Sequence, residues 1–178
     1  MIFPNVRLVL VGGQSIGNGR LYDETRHLFP KARIVQTYAC AEAGSFITFE
    51  DLGWGIKIDG NNDGCHKPSD GSMSQNDGLD GATCIGCPPP HIQIGIFDAE
   101  AEAPLENIAR PPSLVLHGTM GIIGTRGPHV MSGYWNREGD TPPTMNPSDG
   151  GDWMLMNDLG YIHPRSGKIY FSVGVPTM

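Results

Sequence analysis

Nowhere does this sequence offer the ~20 consecutive apolar residues that a membrane-crossing helix needs, so no membrane span is expected. Its start, Met-Ile-Phe-Pro-Asn-Val-Arg-Leu, lacks the charged segment and apolar core of a secretory leader. A clustered basic run is missing too: 12 Lys and Arg stand against 19 Asp and Glu, for a formal net charge of −7. That argues against a nucleic-acid partner, because a phosphate-binding surface needs grouped cations. Cysteine is scarce, at four residues. Cys84-Ile-Gly-Cys87 is half of a zinc knuckle, but no second Cys-x-x-Cys follows it. Pro88, Pro89 and Pro90 block the helix that a redox motif of this type requires. The cysteines therefore read as plain thiols of a soluble intracellular protein.

Glycine and proline, by contrast, are plentiful at 25 and 15 residues, while the hydrophobic fraction of 39% is below the globular norm. Many loops and short strands are expected, not a helical bundle. A chain of 178 residues suits one domain or two small lobes.

The stretch from Val6 to Glu42 organises the rest. Val6-Arg-Leu-Val-Leu-Val11 is apolar apart from Arg7, as expected of a strand covered on both faces of a parallel sheet. Gly12-Gly13-Gln14-Ser15 makes a turn, and Asn18 caps a helix whose inward stripe is Leu21, Thr25, Leu28 and Phe29, with Pro30 as its stop. A second strand and an acidic loop follow, from Ala32 to Glu42. Such a βαβ unit is right-handed and brings both strand ends to the sheet edge where ligands of open α/β sheets bind. Gly12–Ser15 then lies beside Tyr38–Glu42, bare backbone next to an aromatic face and a carboxylate.

Past Glu42, Phe46, Thr48 and Phe49 suggest a short strand or crossing loop. Residues 59–81 have almost no apolar side chains and read as a disordered Gly/Asp/Asn-rich insertion. Asp59-x-Asn61-x-Asp63-Gly64, with Asp70 further on, matches the opening of an EF-hand calcium loop, yet Pro68 interrupts it and neither flank reads as a helix. The remainder is β-rich. Ile92, Ile94 and Ile96 alternate along one strand, 113–117 and 120–126 form two more about a glycine turn, and strands near 153–163 and 168–171 complete a small β-barrel-like lobe. Tyr134 and Trp135 are expected in its core and His129 on its surface. The expected organisation is an α/β portion over 1–58, the insertion over 59–81 and the β lobe over 82–178.

Four motifs in order, Gly12-Gly13-Gln14, Tyr38-Ala-Cys-Ala-Glu42, Gly127-Pro128…Gly133-Tyr134-Trp135 and Asn157-Asp158-Leu159-Gly160, resemble the adenylate-forming (AMP-binding) superfamily of acyl-CoA synthetases and ligases. Phe29-Pro-x-Ala-Arg33, Cys84-Ile-Gly…Pro90-His91-Ile and Arg126-Gly-Pro-His look most like its 2-succinylbenzoate–CoA ligase branch. The resemblance implies ATP or AMP, Mg²⁺ and coenzyme A as cofactors and co-substrates, with a carboxylic acid as the activated partner. It also implies roles. Tyr38 stacks on adenine, Gly12, Gly13, Gln14 and Ala39 line the base, Asp158 accepts hydrogen bonds from the ribose hydroxyls, and Glu42 is the catalytic carboxylate that holds Mg²⁺. A cytoplasmic or plastid location goes with it.

Departures from the family pattern accompany the matches. Ala39 stands for a glycine, Ala41 for a threonine that donates to the α-phosphate, Met156-Asn157 for Thr-Gly, and Gly174-Val175 lacks an arginine for the ribose. Neither a Ser/Thr/Gly-rich phosphate loop nor a C-terminal domain with a catalytic lysine is found between Met1 and Met178. Each lost donor weakens transition-state stabilisation by a few kcal/mol. The expectation is a partial ligase or a catalytically inactive nucleotide-binding remnant, with little activity alone and a calcium module as the remaining alternative.

Overall fold

A computed structural model describes residues 2–13, 15–16, 20–54, 82–98, 113–136, 144–145 and 152–172. The expected insertion, the calcium motif, the Asn18 cap, Gln14 and Gly174-Val175 lie outside these residues. Two sheets carry the architecture. Strand β1 (Leu8–Val11), helix α1 (Arg20–Leu28) and strand β2 (Arg33–Cys40) form the expected parallel βαβ unit, with Val9 opposite Ile34 and Val11 opposite Gln36. After a 3-10 turn at Ala41–Ala43, β3 (Ser45–Trp54) returns antiparallel to β2, giving the order β1-β2-β3.

Strand β1 is not covered on both faces, since Leu8 and Leu10 are exposed, and it lies at the edge of this sheet among the described residues. The stripe of α1 is displaced as well. Leu21 is exposed, and the helix is fastened by Tyr22, whose hydroxyl donates to the Leu52 carbonyl at 2.6 Å. Successive helical residues are separated by about 100°, so contact through Tyr22 turns Leu21 toward solvent. Asp23 in the first turn and Arg26 and His27 in the last complement the helix dipole.

The second sheet is antiparallel throughout. It contains β4 (Thr83–Gly86), β5 (Gln93–Phe97), β6 (Gly121–Arg126), β7 (Thr144–Met145), β8 (Trp153–Ile162) and β9 (Ile169–Ser172), in the order β4-β9-β8-β6-β5, with β7 on β8. Residues 113–117 are not a full strand. They run beside β5 through one bridge, Phe97 to Leu114, and Leu116 is 85% exposed. Alternation in β5 is only half the story, since Phe97 is as buried as Ile96 and packs edge-to-face on Trp153 at 5.3 Å. The strand is covered on both sides.

Between the sheets lie Ala43 and Ile47 against Ile92 and Met154, with Ile85, Ile96, Ile123 and Ile169 as a second cluster. Each buried isoleucine contributes roughly 1.5–3 kcal/mol from apolar area removed from water. Polar stitches fix the register of one sheet on the other. Phe49 and Cys87 exchange main-chain hydrogen bonds of 3.0 and 3.1 Å, and Lys168 Nζ meets Glu50 Oε1 at 2.6 Å. Gly86, at φ 86°, makes the close approach possible, for a Cβ there would lie 2.0 Å from the Phe49 carbonyl oxygen. Cys40, Cys84 and Cys87 are free, and burial pushes the Cys84 thiol up to about 11, so it stays protonated at neutral pH.

Candidate functional site

The ends of β1 and β2 do come together, and a buried glutamine holds them. Gln36 Oε1 accepts from Ser15 Oγ and from the Ile16 main-chain N–H, both at 3.0 Å, while its Nε2 donates to the Cys84 carbonyl at 3.4 Å. Thr37 Oγ1 donates to the Val11 carbonyl at 3.2 Å, and the Cα of Gly12 faces that hydroxyl so closely that a Cβ would stand 3.0 Å from it. Gly13 has φ 81° and open space where a Cβ would go. This turn therefore presents bare main chain beside β2, as its glycines imply. Gln36 was not singled out in the sequence. A lone amide inside a β-branched run is its only signal.

Tyr38 and Asp158, separated by 120 positions, are joined directly: the Tyr38 hydroxyl donates to Asp158 Oδ2. The tyrosine ring is half-buried and tilted against Phe171, with centroids 5.9 Å apart. Burial first, then the hydrogen bond to Asp158, raises the Tyr38 phenol above its ordinary value near 10. The strand carrying the acid explains how it reaches. Between the pairs Gly124–Leu155 and Ile122–Leu159, β8 contains more residues than β6, and Asn157 sits at φ 52° in this bulge. A bulge re-aims the next side chain, and asparagine is one of the few L-residues at ease with positive φ. Asn157, which stands at the glycine position of the resembled motif, takes a positive φ of the kind glycine favours.

Glu42 occupies the 3-10 turn, which Gly44 closes at φ 66° with a 3.0 Å bond from its N–H to the Ala41 carbonyl. Its carboxylate accepts a hydrogen bond from the Tyr134 hydroxyl at 2.5 Å, and its carbonyl accepts from the Met131 N–H at 2.9 Å. The Tyr134 hydroxyl holds the Glu42 carboxyl below the usual carboxylate range, so it is an anion at neutral pH. Tyr134 is therefore not a core residue, and Trp135 is 97% exposed. The turn 127–134 leaves the sheet to reach Glu42, which carries both rings away from the packed interior. Ala39 is exposed beside the bulge that separates it from Tyr38, and neither Ala39 nor Ala41 offers a side-chain donor.

His129 is half-buried rather than on the surface. Its Nε2 is 2.8 Å from Thr125 Oγ1, and its Nδ1 is buried without a hydrogen-bond partner among the described residues. No three His, Cys, Asp or Glu side chains converge among the described residues as a protein-built metal cage. A single anionic, half-exposed carboxylate fits the other common arrangement, in which Mg²⁺ is held by one carboxylate together with phosphate oxygens and water. No helix among the described residues is long and apolar enough to cross a membrane.

Comparison with known proteins accords with this geometry. The sequence matches the AMP-binding enzyme family over residues 2–135. It is 28% identical over 162 residues to a chloroplastic/peroxisomal 2-succinylbenzoate–CoA ligase of Arabidopsis thaliana, covering 87% of this chain and 24% of that protein. A long-chain-fatty-acid–CoA ligase of Bacillus subtilis is 28% identical over 152 residues, covering 82% and 20% respectively. The chain thus spans a quarter or less of the length of these relatives. A crystal structure of a long-chain-fatty-acid–CoA ligase from Archaeoglobus fulgidus shares the fold, with a TM-score of 0.59 at 18% identity over 93% of this chain and 28% of that one.

Proposed function

Because the chain belongs to the AMP-binding enzyme family, we propose that it supplies the adenosine-facing part of an acid–thiol ligase site. One observation carries this reading. The two residues to which the family pattern gives the adenine and the ribose, Tyr38 and Asp158, meet through a side-chain hydrogen bond although 120 positions separate them.

In the proposed reaction an oxygen of the acid's carboxylate bonds to the α-phosphorus of ATP as the bond to pyrophosphate breaks, giving an acyl-adenylate. The sulfur of coenzyme A then bonds to the acyl carbon, AMP leaves, and the thiol proton passes to solvent. Asp158 is the acceptor for the ribose hydroxyls, and Tyr38 offers the ring face for the base. The Gly12-Gly13 main chain and Ala39 line the base edge, and the role the family pattern gives Gln14 is part of the same proposal. Glu42 would hold Mg²⁺, whose charge offsets that of the phosphates when it is bound. The acids named for the relatives, 2-succinylbenzoate and long-chain fatty acids, are the first candidates, and a plastid or the cytoplasm is the proposed location.

A second reading, a nucleotide-binding remnant without ligase chemistry, is favoured by the methyl group of Ala41 where the family pattern has a hydroxyl donor. Two measurements separate the readings. Calorimetric titration with AMP tests the nucleotide site, and exchange of labelled pyrophosphate into ATP with each acid tests the chemistry. Saturable AMP binding with acid-dependent exchange supports the ligase reading. Binding without exchange supports the remnant, and no AMP binding at millimolar nucleotide overturns both.

A further inference from the structure

The turn that grips Glu42 is itself anchored in the core by an imidazole. Thr125 lies in the fully buried stretch of β6, and its hydroxyl donates to the Gln93 carbonyl at 3.1 Å. With its only hydrogen spent there, the hydroxyl can only accept from His129, so Nε2 at 2.8 Å carries the ring proton. Nδ1 then bears the lone pair, and it is the buried atom that has no partner among the described residues. The fit around it is tight, since a Cβ on Gly127 would come within 2.9 Å of Nδ1 and 2.7 Å of the His91 carbonyl oxygen. From this anchored ring the chain continues straight to the site. The His129 carbonyl backs onto Gly44, where a Cβ would be 3.0 Å away, Met131 N–H bonds the Glu42 carbonyl at 2.9 Å, and Tyr134 bonds its carboxylate at 2.5 Å.

We propose that His129 is a positioning residue for Glu42: its Nε2–H, fixed on Thr125, sets the 127–134 turn that holds Glu42 by main chain and side chain together. This rests on the reading of Glu42 as the carboxylate that serves the nucleotide phosphates. The role needs one donor at Nε2 and no proton at Nδ1. Burial, with His91 as the nearby titratable group, lowers the His129 pKa, in keeping with a neutral ring.

His129→Gln keeps a donor near the Nε2 position, whereas His129→Ala removes it. The first readout is hydrogen exchange of the Met131 amide in the 178-residue chain without nucleotide, expressed as protection after correction for intrinsic rates. Protection in His129→Ala is expected to fall about ten-fold or more at neutral pH and to return in His129→Gln. In the wild type it is expected to fall as pH drops from about 7.5 to about 5, with no such fall in His129→Gln. Unchanged protection in His129→Ala, or an acid-induced fall that persists in His129→Gln, overturns the positioning role. The second readout is MgATP affinity at neutral pH, expected to drop with the Ala variant and recover with Gln. If protection behaves as expected but the wild type binds no MgATP, the nucleotide reading fails and the anchoring of the turn stands.

Discussion

Replacing Tyr38 by phenylalanine removes one hydroxyl and leaves the aromatic face in place, so it isolates the bond to Asp158. A hydrogen bond to a charged group contributes about 1.5–3 kcal/mol. Both partners are half-buried, so water replaces the lost donor on the Asp158 carboxylate and the cost falls near the lower end, about 1.5 kcal/mol. The same change acts oppositely on ligand binding. A ribose diol competes with the Tyr38 hydroxyl for Asp158 Oδ2, and removing this competitor is worth up to the same amount, about ten-fold in affinity for AMP. The assay pairs urea denaturation with calorimetric titration of AMP and its 2′,3′-dideoxy analogue. The expected result is a lower urea midpoint with tighter AMP binding, and no gain for the dideoxy analogue. Alkaline pH adds an independent check. Tyr38 has a folded-state pKa above its unfolded value near 10, so its contribution is complete below about pH 10 and is lost as pH rises through the higher folded value. Tyr38→Phe should therefore lose less stability than wild type as pH rises from about 10 to about 11. Weaker AMP binding with an unchanged urea midpoint, or an equal gain for both nucleotides, would refute the reasoning.

Two further outcomes follow from the same geometry. Tyr134→Phe removes the donor that holds Glu42 low, so the Glu42 pKa, followed by carboxyl-carbon NMR, should move up toward the ordinary glutamate value; an unmoved value would show that the hydroxyl does not set it. Gly86→Ala forces a Cβ to within 2.0 Å of the Phe49 carbonyl oxygen at a φ of 86°, and it should cost more than about 3 kcal/mol in urea denaturation; a loss under about 1 kcal/mol would mean that β3 and β4 are not packed as described.

Much of the candidate site's arrangement was legible without coordinates because local chemistry and chain order carried it. Paired glycines after an apolar run, an aromatic and an acid closing the next strand, and Asp158 before Leu159-Gly160 are short-range signals. The parallel pairing of β1 and β2 follows from a helix between two strands, since parallel neighbours are joined by a long crossover that is usually helical. Motif order sufficed to imply the family, whose match spans residues 2–135.

What no local pattern could decide was which faces are covered and which side chains meet across the chain. Apolar runs look alike in an edge strand and a central one, so Leu8 and Leu10 read as covered although β1 lies at the edge. Aromatic residues read as core until a turn is seen to carry Tyr134 out to Glu42 and Trp135 into solvent. Asn157 reads as a departure from a glycine motif, and only the structure shows its positive φ in the β8 bulge, next to the Asp158 that meets Tyr38. Residue types thus determined the chemistry available at each position. Register, bulges and the stacking of one sheet on the other are long-range packing outcomes, and they decided that Tyr38 faces Asp158 and that His129, bonded to Thr125 in the core, anchors the turn that grips Glu42.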